Sequence, residues 1–134
     1  LSEQPTILLA EDDPDQRQVK ARLLERCGCR VILAADGEEA VRLALDERPD
    51  MILMDLRMPV MDGFKAAAML RNEPSMRSVV LIAYTAYHSY TISEDAHAVG
   101  FDEYITKPIT IEAMRELVAR YLPGATAEKE ENEK

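Results

Sequence analysis

Three features predict a single α/β domain built on a doubly wound, five-stranded parallel sheet. Five short apolar runs alternate with amphipathic stretches of helical spacing between residues 6 and 122. The chain has 134 residues, enough for one hydrophobic core and too few for two. Most of the apolar runs stop at a polar or charged residue, and the clearest is Met51-Ile52-Leu53-Met54, which delivers Asp55 at its end.

Each element follows from local chemistry. Thr6–Ala10 reads as a strand stopped by Glu11-Asp12-Asp13-Pro14. Asp13 caps the first helix and Pro14 is its first residue, where the missing amide costs nothing. Val19, Leu23, Leu24 and Cys27 recur on one face, and Gly28 ends the helix. Arg30–Ala34 is the second strand. Asp36-Gly37 opens a second helix, with Glu38 and Glu39 at its positive end and Val41, Ala44 and Leu45 as its buried stripe. Pro49 closes that segment.

The third strand runs into Asp55, and Met58-Pro59 and Asp62-Gly63 force a loop. A third helix spans about Gly63 to Arg71, and a fourth strand runs from Ser78 to Tyr84, stopping at Thr85. A weakly periodic helix around Ser93 to Val99 has Ala96 and Val99 as anchors and ends at Gly100. Glu103-Tyr104-Ile105 is a short fifth strand left through Thr106-Lys107-Pro108. Thr110 caps the last helix, whose inward face is Ile111, Met114, Leu117, Val118, Tyr121 and Leu122. The domain is expected over residues 5–122. The acidic tail over 123–134 holds Glu128 to Lys134 and is expected to be disordered, having too little apolar surface to bury.

Composition narrows the function classes. A formal charge of -9 argues against a nucleic-acid or anionic-membrane surface, which needs clustered Lys and Arg. No segment approaches the ~18 consecutive apolar residues that span a bilayer, and no signal peptide opens the chain. The first residue is Leu rather than Met, which points to a processed or excised chain. Cys27-Gly28-Cys29 is too tight for a redox CxxC or a zinc knuckle. One thiol is expected half-buried at the helix end and the other at the strand start. Low cysteine usage fits a reducing cytoplasm. His88 and His97 read as surface residues, and Met51, Met54, Met58 and Met61 as core and loop packing.

The strand ends carry the chemistry. Glu11 and Asp12, Asp55, Thr85 and Lys107 follow strands that should converge on one edge of a parallel sheet, where ligands bind. An acid held there serves as a metal ligand, a base, or a nucleophile toward phosphorus. Three carboxylates at one place repel unless a cation sits among them, and a hard divalent ion such as Mg²⁺ suits oxygen ligands. Lys107 and the Thr85 hydroxyl then suit a phosphoryl group's oxygens, with Asp55 as in-line nucleophile.

Glu11-Asp12, Asp55 with Met58-Pro59 and Asp62-Gly63, Thr85-Ala86 and Lys107-Pro108 stand in a register that resembles the receiver domain of bacterial two-component response regulators. The resemblance covers about residues 5 to 122 and implies a flavodoxin-like sheet of order 2-1-3-4-5. It implies that Asp55 is the phospho-acceptor, loaded by a histidine kinase or phosphotransfer protein. Asp12 would bind Mg²⁺ directly, Glu11 through water, and the Arg57 carbonyl would be a further metal ligand beside Asp55. Thr85 and Lys107 would hold the phosphoryl oxygens. Thr85 and Tyr104 would be the switch pair, and the Lys107–Pro108 bond would be cis. The fourth helix, fifth strand and last helix would form the output surface toward a protein partner, an output domain or a second copy. Such a domain catalyses only its own phosphoryl transfer and dephosphorylation, and Arg57 and Tyr87 are expected to slow the latter by shielding.

Two other classes are weighed against this. A haloacid-dehalogenase-type phosphatase would want an acid two residues after the nucleophile, and that position is Arg57. A phosphorylation-independent scaffold would usually have lost pocket residues, and this chain keeps the set.

Overall fold

The computed structural model describes residues 4–86 and 89–125. Tyr87, His88 and the acidic tail segment Glu128 to Lys134 lie outside the described residues. In chain order the elements are β1 (Thr6–Ala10), α1 (Pro14–Arg26), β2 (Arg30–Ala34), α2 (Gly37–Glu47), β3 (Met51–Asp55) and α3 (Gly63–Arg71). A single 3-10 turn (Pro74–Met76) leads to β4 (Val80–Thr85), α4 (Tyr90–Val99), β5 (Glu103–Thr106) and α5 (Ile111–Tyr121). The strands form one sheet of order β2-β1-β3-β4-β5, with every pairing parallel. This is the predicted flavodoxin-like architecture.

Parallel strands covered on both faces read as unbroken apolar runs. β3 is the clearest case, with all five residues buried. Side chains alternate between two cores. Leu8, Ala10, Ile52, Met54, Leu81 and Ala83 face α2, α3 and α4. Ile7, Leu9, Met51, Leu53, Ile82 and Tyr84 face α1 and α5.

The caps act where their chemistry places them. Asp13 accepts from the Asp15 and Gln16 amides, Asp36 from Glu39, Asp62 from Lys65 and Thr110 from Ala113. Met51 and Met54 are buried, while Met58 and Met61 pack from the loop against the α2–α3–α4 core. Cys27 and Cys29 are both buried free thiols, so the expectation that Cys27 is only half-buried is corrected. Burial, with Cys27 and Asp50 adding, pushes the Cys29 thiol up to about 11, where it is unreactive. His97 is exposed.

Two further departures concern helices. α4 begins at Tyr90, three residues before the expected Ser93, because the Ser89 hydroxyl caps the Ile92 amide at 3.1 Å. Val19 is 57% exposed and Lys20 is buried in its place. Leu24 and Cys27 are buried, with Lys20 and Ala21 beside them, while Leu23 is only partly buried against the same core and Val19 turns to solvent.

On the β5–α5 side, Glu103 Oε2 accepts from Tyr121 Oη and from Arg120. Burial alone would raise the Glu103 pKa, but the Tyr121 hydroxyl and the Arg120 guanidinium hold it below the ordinary glutamate value. A depressed carboxylate stabilises the fold above its unfolded-state pKa, and that contribution is lost as pH falls through the folded value. The stability advantage of the wild type over Glu103→Gln is expected to shrink as pH drops below about 4.5, measured as urea midpoints.

Candidate functional site

The register brings four strand ends to one edge. Ala10 pairs with Met54, so Glu11 and Asp55 leave their strands side by side. Asp55 in turn pairs with Tyr84, and Thr85 with Thr106. The Lys107 amide donates to the Thr85 carbonyl at 2.7 Å, which carries the lysine over the same edge. Glu11, Asp12 and Asp55 each present a carboxylate oxygen within 4.8 Å of the others. Lys107 Nζ donates to Asp55 Oδ2 at 2.7 Å and lies 3.6 Å from Glu11 Oε1.

Asp55 is 4% exposed. Its Oδ1 accepts from the Arg57 amide at 2.9 Å, while Arg57 itself is exposed. Burial raises the Asp55 pKa; Lys107 and the Arg57 amide oppose it, and the charge of Glu11 adds to it. Burial would also raise Glu11, but the Asp13 amide, Lys20 and Lys107 together hold it below its ordinary value. Burial would lower Lys107, and Asp55 and Glu11 outweigh it, so its pKa is raised. The site therefore keeps Lys107 charged beside an acid that resists ionisation.

Backbone packing fixes where Asp55 sits. A Cβ on Gly63 would lie 2.6 Å from the Asp55 carbonyl oxygen, so α3 can begin that close to the strand end only with glycine there. Between them Val60 adopts φ of 69°, a conformation that strains a β-branched residue. Beside this loop an open concavity of about 560 Å³ runs between Asp12, Arg57, Met58, Pro59 and Phe64, giving approach from solvent.

The remaining predicted residues are placed as follows. Asp12 is exposed at the rim and Asp13 is the helix cap. Thr85 is buried at the end of β4. The Lys107–Pro108 bond is cis. Tyr104 is half-buried in β5 and packed against the core under α2, α3 and α4.

Two contributors were not foreseen. Lys20 Nζ, buried, donates to Glu11 Oε1 at 3.1 Å and to Gln16 Oε1 at 3.0 Å. Tyr84 Oη lies 3.0 Å from the same Glu11 oxygen and 3.1 Å from the Ala10 carbonyl. The Lys20 and Lys107 ammonium groups stand 5.3 and 4.9 Å from its ring centroid. Burial, with the nearby carboxylates, raises the Tyr84 pKa and keeps the phenol a donor. A signal existed for both. Lys20, Leu24 and Cys27 share a helical spacing, and a tyrosine one residue from a buried strand end needs a partner for its hydroxyl.

Residues 7–119 match the family model described as the response regulator receiver domain. The chain belongs to this family. As a receiver domain it has a phospho-acceptor signalling role in two-component systems. It is 34% identical over 120 residues to the signal transduction histidine-protein kinase BarA of Shigella flexneri, covering 90% of this chain but only 13% of that kinase. It is 31% identical to the polar-differentiation response regulator DivK of Brucella anthropi, covering 90% of this chain and 98% of DivK. Among solved structures, the receiver domain of sensor histidine kinase PA1611 from Pseudomonas aeruginosa superposes with a TM-score of 0.83 at 36% identity. That match covers 90% of this chain and 99% of that one, and that crystal structure has a magnesium ion coordinated in the active-site cleft. No helix among the described residues of this receiver domain is long and apolar enough to cross a membrane.

Proposed function

We propose that this receiver domain is a magnesium-dependent switch. Asp55 accepts a phosphoryl group from a histidine kinase or phosphotransfer protein, and the surface of α4, β5 and α5 then changes to control a partner or an output domain. The carrying observation is the Asp55 carboxylate, buried at the end of the central strand with Lys107 on Oδ2 and two further acids within 4.8 Å. In the transfer an Asp55 oxygen bonds to phosphorus as the donor's N–P bond breaks. The electron pair returns to the imidazole nitrogen, leaving an aspartyl phosphate. Lys107 and the Thr85 hydroxyl hold the phosphoryl oxygens.

The donor set fits a hard divalent cation, being three carboxylates with neither thiolate nor imidazole. Asp12 would ligate it directly, Glu11 through water, and Asp55 and the Arg57 carbonyl would complete the protein's share. Bound magnesium supplies charge that relieves repulsion between these acids and incoming phosphoryl oxygens. The domain would span residues 5–122, with 123–134 as a tail, and act in the cytoplasm.

The output side of the reading is supported by weak anchoring. Among the described side chains of α4, Ala96 is buried and Ile92 and Val99 are only partly covered, and poorly anchored elements shift most readily between states. Thr85 and Tyr104 would couple that face to the pocket. Arg57, exposed beside Asp55, would slow attack of water on the acyl phosphate together with Tyr87.

Intact-protein mass after incubation with acetyl phosphate tests the chemistry. The wild type is expected to gain one phosphoryl group with Mg²⁺ present, and Asp55→Asn none. A folded wild type that gains no adduct, or an adduct that persists in Asp55→Asn, would overturn the assignment.

A further inference from the structure

Glu11 already has a cation of its own. Lys20 reaches it from α1 with a side chain only 6% exposed. Glu11 Oε1 is met by Lys20, by the Tyr84 hydroxyl and, at 3.6 Å, by Lys107, while Oε2 holds the Asp13 amide at 3.1 Å. An ammonium group is expensive to bury, and a methionine would fill the same volume without that cost. The pairing with Glu11 is what Lys20 gains. Its consequence is electrostatic. Counting carboxylates and ammonium groups alone, three acids and two lysines sum to one net negative charge, where Lys107 alone would leave two.

We infer that Lys20 is a built-in counter-cation of the acidic pocket, a positioning residue that locks Glu11 against Tyr84 and lowers the pocket's affinity for a divalent cation. The inference rests on the metal reading proposed above. Two effects act in the same direction. A divalent ion approaching the three acids meets a second fixed positive charge within a poorly solvated site. Glu11's interaction with that ion, or with the water between them, also competes with its contacts to Lys20 and Tyr84. The domain thereby holds its acids together before any metal arrives, at the cost of binding the metal less tightly.

The test uses Mg²⁺ alone, titrated into wild type, Lys20→Met and Lys20→Gln, following backbone amide shifts by NMR. Each protein is also melted with and without Mg²⁺. Both neutral variants are expected to bind Mg²⁺ about fivefold more tightly or better, the scale of removing one nearby charge. Lys20→Met is expected to melt lower than wild type without metal, yet to gain more in Tm when Mg²⁺ is added. Lys20→Gln keeps a donor toward Glu11, so it serves if the methionine variant does not fold. Unchanged affinity with equal losses in both melts would make Lys20 merely structural and overturn the inference. Weaker binding in both variants would overturn it as well, since Lys20 would then organise the site for metal. A wild type that shows no Mg²⁺ binding would defeat the metal reading itself.

Discussion

Arg71→Ala is expected to cost ~3 kcal/mol of stability, read as a drop in Tm of roughly 10 °C. Arg71 is the last residue of α3, and its guanidinium is a hub. Nε donates to the Gly100 carbonyl at 2.9 Å, and Nη1 to those of Met76, Arg77 and Val79 at 3.0, 3.2 and 2.8 Å. Nη2 meets Asp102 Oδ2 at 3.0 Å, and that same oxygen accepts the Leu81 amide at 2.9 Å. One side chain thus ties together the ends of α3 and α4 and the starts of β4 and β5. Removing it takes a donor from the half-buried Gly100 and Val79 carbonyls, and leaving such groups unsatisfied costs more than the bonds themselves contribute. Arg71→Lys should recover little of the loss, because an ammonium cannot span acceptors that a planar fork reaches together. Thermal melts of the two variants check both statements, and a Tm within a degree or two of wild type for Arg71→Ala would refute the hub.

Asp55→Asn is expected to do the opposite and raise Tm by a few degrees, on the scale of ~1 kcal/mol in a domain of this size. Burial, reinforced by Glu11, raises the Asp55 pKa despite Lys107 and the Arg57 amide. A carboxyl whose folded pKa exceeds its unfolded value favours folding below the unfolded value and loses that benefit as pH rises through the folded one. At neutral pH the ionised acid therefore weighs against the fold, and the amide does not. The variant's advantage should grow from about pH 4 toward neutrality and shrink when Mg²⁺ is added to the wild type. Denaturant midpoints across that range measure it. A variant less stable than wild type at pH 7 would mean that the Lys107 contact outweighs burial.

Much of this was legible because the signals are local. Strand ends at Glu11, Asp55 and Thr85 follow directly from where apolar runs stop, and parallel register then gathers them. Helix starts at Asp13, Asp36 and Thr110 announce themselves through capping chemistry. What stayed hidden depends on distance in the chain. Val19 and Leu23 continue the apolar spacing of Leu24 and Cys27, and nothing local says that Lys20 is buried while Val19 is not. The partner that offsets the cost of burying Lys20, the Glu11 carboxylate, is nine residues away in the chain. Arg71 looks like an ordinary basic residue at a helix end until Gly100 and Asp102, 29 and 31 residues on, arrive beside it. The start of α4 is not legible because Ser89 sits in a polar stretch where a cap and a loop residue look alike.

The contact between Lys107 and Asp55 joins residues 52 positions apart, and Tyr84 reaches Glu11 across 73. No fragment of the chain holds the pocket in miniature. A copy still emerging from the ribosome, or one that has lost the pairing of β4 with β5, presents acids without the lysine that answers them. On the function proposed above, competence to receive a phosphoryl group is a certificate of completed folding, issued only when the first strand and the last are both in place.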